Sequence, residues 1–264
     1  MILYLCLSHL AVGNFLTLFF VSKDAGVKFF RFNAGMAAIL LAFAVAFHPG
    51  DDAGRLAELA FTALLACGAA VILYWATVGR ALAAMRPAIL AVGGLAGIVS
   101  VVTQAMAVSS DSGLAIQALA VASFLSSVAL LGGACTAMVL GHWYLIIPSM
   151  QVSHLQSIVK LHIVSMVLRI IVVGIAVFVA IATWEPDLGL FSFQRYITSV
   201  SGIFFWQRVL FGLAGPAFLS YLTWETAKIR STQSATGILY VDFFTVVVGE
   251  VLAKYLLLAT HVPV

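Results

Sequence analysis

Charge is what this sequence lacks. Only 9% of its 264 residues are Asp, Glu, Lys or Arg, and 63% are hydrophobic, whereas soluble domains carry about 25% charged residues. With a mean hydropathy of +1.14, a soluble globular fold is excluded and an integral membrane protein is expected. Cysteine is scarce as well. Cys6, Cys67 and Cys135 each sit inside an apolar run without CxxC or metal-ligand spacing, so they read as small core residues rather than a disulfide or metal framework. A phosphate-binding glycine loop, a tight Ser/His/Asp grouping, an internal repeat and a low-complexity segment are all missing. The net charge of +3 lies in the joints between apolar runs, so it gives no reason to expect nucleic-acid binding.

What is present is a series of apolar runs. About 20 helical residues cross about 30 Å of hydrocarbon. Cutting at charged or turn-rich joints predicts spans near 2–22, 31–48, 56–79, 86–108, 114–141, 161–184, 202–224 and 237–260. The expected fold is all-α, one transmembrane domain over 1–264 with eight helices. The first run begins at Met1 without a basic segment or cleavage site and is read as a retained span.

Basic residues mark alternate joints. Lys23, Lys28 and Arg31 lie in the first, Arg80 and Arg86 in the third, Lys160 in the fifth, Lys228 and Arg230 in the seventh. The even joints are acidic or mixed: Arg55 faces Asp51, Asp52 and Glu58; Asp111 stands alone; Arg195 accompanies Glu185 and Asp187. Lys and Arg stay on the cytoplasmic side, so both termini are expected on the outer, periplasmic side of a cytoplasmic (inner) membrane. Gly93 and Gly97, and the stripe Gly133, Ala137 and Gly141, predict close helix contacts. Gly215-Pro216 predicts a bend in the seventh span.

The polar residues inside these runs are the candidates for chemistry. Span eight carries Asp242, Glu250 and Lys254. Glu250 precedes Lys254 by four, the favourable order for a helical ion pair, and Arg208 on span seven is a second possible partner. Arg169 lies about 12 Å into span six by helical rise and either faces the interior or reaches back toward the cytoplasm. Ionisable groups in lipid point to function, with a salt bridge pinning spans seven and eight as the plainer account. His48 closes span two before Pro49-Gly50-Asp51-Asp52, and Glu58 opens span three. A histidine beside carboxylates at a membrane surface suits quinol oxidation, which releases two protons with two electrons and needs a group titrating near neutrality. His9 lies in the outer half of span one without an evident partner. His142, His154 and His162 gather at the cytoplasmic end of spans five and six, where a haem or metal is possible and interfacial anchoring is the simpler reading.

Several short motifs resemble the membrane-anchor subunits of dimethyl sulfoxide reductase-type complexes, the DmsC-like family. Gly249-Glu250, then Lys254 and His261, is similar to an ending in which Gly-Glu is followed by Arg and later His. Trp206-Gln207-Arg208-Val209-Leu210 resembles a Trp-Arg-Ile-Val-Leu stretch. Phe47-His48 resembles the close of the family's second helix, Leu56-Ala57-Glu58-Leu59 its Ser-Asn-Glu-Ile, and Ala96 through Gly141, with Gly132-Gly133, its fourth and fifth helices. The loop after His48 is shorter than the family's, and Lys254 stands where the family has Arg.

The resemblance implies eight helices with both ends outside. It also implies an iron–sulfur ferredoxin-like subunit and a molybdopterin catalytic subunit docked on the outer face. Menaquinone or another quinone would be the bound substrate, with no haem and no metal in the chain itself. By position, His48 would serve the quinone site, with Glu58 and Asp51 as nearby acids for proton transfer. Arg208, Glu250 and Lys254, with His261 at the outer helix end, would form a polar network. Three alternatives stay open: a haem-b electron carrier, a small proton-coupled transporter using Glu250 and Lys254, and a structural anchor that holds a partner without touching quinone.

Overall fold

The structure, a computed structural model, describes residues 1–50, 54–80, 83–147, 150–183 and 193–264. Helices α1 (Ile2–Thr17), α2 (Gly26–Ala46), α3 (Gly54–Thr77), α4 (Arg86–Val108), α5 (Leu114–Ile146) and α6 (Val152–Thr183) come first. A short α7 (Phe193–Thr198), α8 (Ile203–Val209), α9 (Gly215–Lys228) and α10 (Thr232–Thr260) follow, and the described residues contain no strand. Among them eight helices are long and apolar enough to cross a membrane, with α8 and α9 counting as one span. The chain is a multi-pass membrane protein.

The bundle is built around α1, which packs against α2, α4, α5 and α10. Without a hydrophobic effect between helices in lipid, such contacts rest on close packing and buried hydrogen bonds. Both operate here. Gly13 of α1 meets Gly132 of α5 backbone to backbone, and a Cβ on Gly13 would lie 2.2 Å from the Val128 carbonyl oxygen. Nearby, Asn14 donates to the Asn33 carbonyl oxygen at 3.1 Å, Thr136 donates to Asn14 at 3.3 Å, and Thr17 bonds Thr136. Gly93 and Gly97 face Ala70, Phe15, Val12 and Cys67, while Gly133 faces α6 and Gly141 faces α10.

Met1, His48 and Val108 share one end of the bundle, as do Ser112, Ala180 and His261; this is the terminal end. Asp24, Trp143, His154 and Ala227 meet at the other, basic end. There the predicted spans proved too short. Helix α5 runs 33 residues and α6 runs 32, about 50 Å each by helical rise, well beyond the hydrocarbon. The polar residues that read as a loop instead join the helical overhangs. Tyr144 donates to the Gln151 carbonyl, and Gln156 donates to that of Ala227 at 3.4 Å. Helix α2 likewise starts earlier than expected, with Arg31 stacked 5.2 Å from the Trp75 ring.

The seventh span is broken where a bend was expected. Leu210–Ala214 forms a π-turn between α8 and α9, just ahead of Pro216. Proline lacks the N–H for the regular helical bond and its ring crowds the preceding turn, and π-turns recur at functional sites.

Candidate functional site

Glu250 sits at the middle of the site, on α10 and fully buried. Arg169 of α6 grips its carboxylate with two prongs, Nε to Oε1 at 2.9 Å and Nη2 to Oε2 at 3.1 Å. Arg208 of α8 adds Nη2 to Oε1 at 2.9 Å, and Ser127 of α5 donates its hydroxyl to Oε2 at 2.6 Å. An ionised carboxylate has about four lone-pair positions, and all four are taken. Lys254, one turn further along α10, stands 3.7 Å from Oε2. It donates to Ser127 Oγ at 3.0 Å and lies 4.5 Å from the centre of the Phe124 ring.

Two local features allow this convergence. Helix α5 presents Ser123, Ser126 and Ser127 on one face. Arg169 Nη1 donates to the Ser123 carbonyl at 2.9 Å, to Ser123 Oγ at 2.7 Å and to Ser126 Oγ at 3.2 Å. On the other side, α10 crosses the π-turn glycine to glycine. A Cβ on Gly249 would lie 2.1 Å from the Gly212 Cα, and one on Gly212 would lie 2.1 Å from Arg208 Nη1. Only two bare backbones leave the Arg208 guanidinium room to reach the carboxylate. Its Nε and Nη1 make no hydrogen bond among the described residues.

A chain of polar side chains leads from this cluster toward the terminal end. His9 Nδ1 of α1 meets Ser127 Oγ at 3.2 Å, and the ring packs edge-on against Phe124 at 4.8 Å. The Gln104 side chain lies beside that ring. Gln104 donates to Ser100 Oγ at 3.1 Å and to Tyr4 Oη at 3.4 Å, and accepts from Ser8 at 3.4 Å. His9, Ser8 and Gln104 are all buried. Tyr4 and Gln104 then form part of a cleft of about 90 Å³ that His48, Met1 and Ala57 also line.

His48 borders that cleft and a wider opening of about 460 Å³ next to it, lined by Arg55, Glu58 and Phe61. The His48 ring lies 4.0 Å from Phe61 and 5.2 Å, edge-on, from Tyr4. Its Nδ1 accepts from the Gly50 N–H at 3.3 Å, which in the neutral ring places the hydrogen on Nε2. Glu58 is exposed within the opening. Asp51 lies outside the described residues.

The expected polar network is thus only partly assembled. Arg208, Glu250 and Lys254 converge. His261 does not join them: it is exposed, caps α10 in a left-handed turn (φ 58°), and borders a separate cavity of about 280 Å³ with Ser112, Ala180 and Thr260. The backbone stops being helical at Thr260, which aims His261 away from the bundle interior. Arg169 was the residue whose place was left open, and it faces the interior as the principal partner of Glu250. Ser123, Ser126, Ser127 and Gln104 were missed. Their signal was polar side chains at helical spacing inside otherwise apolar runs.

The three histidines expected together at the basic end part company. His142 pairs with Tyr240 at 3.0 Å, His154 with Asp24 at 2.9 Å and His162 with Asp242 at 2.6 Å. His162 and Asp242 are fully buried and form a second polar contact between α6 and α10, about two turns toward the basic end from Arg169 and Glu250. Among the described residues no three His, Cys, Asp or Glu side chains converge as a metal-binding group. No protein-family model, curated protein or solved structure matches this chain.

Proposed function

We propose that the chain is a quinone-reactive membrane subunit of a respiratory oxidoreductase. The cleft beside His48 holds the quinone head group, and the terminal end faces the outer side. The observation that carries this reading is the continuity of the polar groups. A histidine-lined cleft at one end of the bundle connects through Tyr4, Gln104 and His9 to a charged cluster deep in the apolar interior. Polar groups buried in lipid are costly unless paired, and a line of them leading to an accessible histidine suits a redox substrate that carries protons.

Oxidation of a quinol breaks two O–H bonds, releasing two protons and two electrons. His48 takes one proton on Nδ1, the ring nitrogen with the lone pair, and the exposed Glu58 passes it to water, while the second proton leaves to water through the same opening. The electrons go to an iron–sulfur partner docked on the same face, as the DmsC-like motifs imply, with a molybdopterin subunit beyond it. In the reverse direction the same groups protonate the quinone oxygens. Arg208, Glu250 and Lys254 belong to the wall behind the cleft rather than to the substrate pocket.

The test is His48→Ala in the complex purified in mild detergent, with the copurifying subunits analysed for iron and molybdenum. Quinol-dependent turnover should fall at least about tenfold, the usual scale of a lost acid–base group being 10²–10⁴, and binding of a quinone analogue should weaken. Unchanged turnover and unchanged analogue binding would remove the cleft from consideration.

A further inference from the structure

The charges in the cluster do not balance. Arg169, Arg208 and Lys254 surround one carboxylate, Glu250, and all four residues are at most 1% exposed. Among the described residues no second acid compensates, for Asp242 is two turns away and paired with His162 at 2.6 Å. Arginine keeps its proton in proteins, and both arginines are hydrogen-bonded to the carboxylate at 2.9 Å. Lys254 is set apart. The four acceptor positions of Glu250 are filled without it, its ammonium nitrogen stays 3.7 Å from the nearest carboxylate oxygen, and its hydrogen bond goes to Ser127. The groups facing it are Glu250 on its own helix, Arg169 of α6, Arg208 of α8, Cys6 and His9 of α1, and Ser127 and Phe124 of α5. Two of these are cations that cannot discharge, so Lys254 is the member of the cluster able to relieve the excess.

Ser127 gives that proton somewhere to go. Its single hydroxyl touches Glu250 at 2.6 Å, Lys254 at 3.0 Å and His9 at 3.2 Å. His9 Nε2 makes no hydrogen bond among the described residues and is the acceptor or donor left for exchange with the Gln104 and Tyr4 side. We propose that Lys254, linked through Ser127 to His9, is a proton-exchange site of the bundle, neutral at rest and loaded by one proton. In the transfer an N–H bond of the Lys254 ammonium breaks and an O–H bond forms on Ser127. The Ser127 hydroxyl turns its proton from Glu250 to His9 Nδ1, and His9 releases the proton on Nε2 toward the cleft. Loading is the reverse. The exchange site stands without any statement about the substrate; only the delivery of its proton from quinol rests on the proposed function.

The test compares Lys254→Met, Lys254→Gln and Lys254→Arg with wild type in lipid nanodiscs. An exchange site that is neutral at rest tolerates Met or Gln and resists the permanent charge of Arg. The expected order of melting temperature is therefore Met and Gln at or near wild type and Arg well below. On a step from neutral to acidic pH in weak buffer, wild type should take up one proton per chain more than Lys254→Met, with Ser127→Ala taking up the same proton more slowly. A melting order with Arg at wild type and Met and Gln below, or equal proton uptake by wild type and Lys254→Met, would overturn the proposal. Failure of His48→Ala to affect quinol turnover bears on the cleft alone, so the two ideas fall separately.

Discussion

Glu58 and Glu250 are the same side chain in opposite settings. Glu58 stands exposed beside His48 at the terminal end, with water able to reach it. Glu250 is sealed in the bundle with every lone pair engaged by Arg169, Arg208 and Ser127. A carboxylate held by two arginines in a dry interior is an anchor. It is too well satisfied to give and take protons cheaply, since each hydrogen bond to the charged form favours that form. Mobile chemistry therefore belongs at the two edges of this arrangement: the open cleft with His48 and Glu58, and the loosely tied Lys254. The comparison teaches that depth in the membrane marks importance to the fold before it marks reactivity.

The sharpest way to break the comparison is to remove the anchor. Glu250→Ala leaves two buried arginines without their counter-charge, and breaking a buried ion pair on one side costs about 3–5 kcal/mol. Glu250→Ala should lower the melting temperature or abolish accumulation of folded protein in the membrane, read by fluorescence-detected size exclusion. Next in size is the glycine crossing. Gly249→Ala puts a Cβ 2.1 Å from the Gly212 Cα, and overpacking of this kind costs about 1–3 kcal/mol or more. The matching control is Gly68→Ala, whose Cβ would meet only Leu41 at 3.9 Å. It should be neutral or stabilising, because alanine is the better helix former by about 1 kcal/mol.

Smaller again is Asp242→Asn, which keeps the shape of the pair with His162 but removes its charge. A loss of about 1–3 kcal/mol is expected for a weakened buried polar contact. Combined with Gly249→Ala it should be additive within about 0.5 kcal/mol, as for distant sites; strong coupling would mean that the glycine crossing and the His162–Asp242 pair act as one unit. The smallest stability effect belongs to Glu58→Gln, within about 0.5 kcal/mol as for exposed sites. Quinol turnover should nevertheless drop in that variant, and a stable, fully active Glu58→Gln protein would leave His48 to release its proton directly to water.

Much of the architecture could be read from residue order alone, because span length and spacing are set by bilayer thickness and the cost of charge in lipid. Arg86–Val108 was predicted to the residue, and Gly215-Pro216 did mark a break in its helix. Helix ends at the basic side were harder. His142, Lys160 and Gln156 look like loop residues in a hydropathy profile, yet a helix that projects from the bilayer carries polar side chains freely on its surface. The candidate site was half legible. Glu250 and Lys254 announce themselves as charges four apart in an apolar run. Ser127 and Gln104 do not, since single uncharged polar residues are ordinary in membrane helices and only their neighbours give them a role.

Composition and patterning, then, determined that this is a multi-pass helical membrane protein, about where each helix runs, and that a few charges would have to be buried together. Which charges meet was decided by the tertiary structure alone. Arg169 lies 81 positions from Glu250 and Ser127 lies 123 from it, and their meeting depends on the rotation of each helix about its axis. That rotation is set by close contacts such as Gly13 on Gly132 and Gly212 on Gly249. In lipid all faces of a helix can be equally apolar, so periodicity carries little information about which face turns inward. The packing of small residues supplies it.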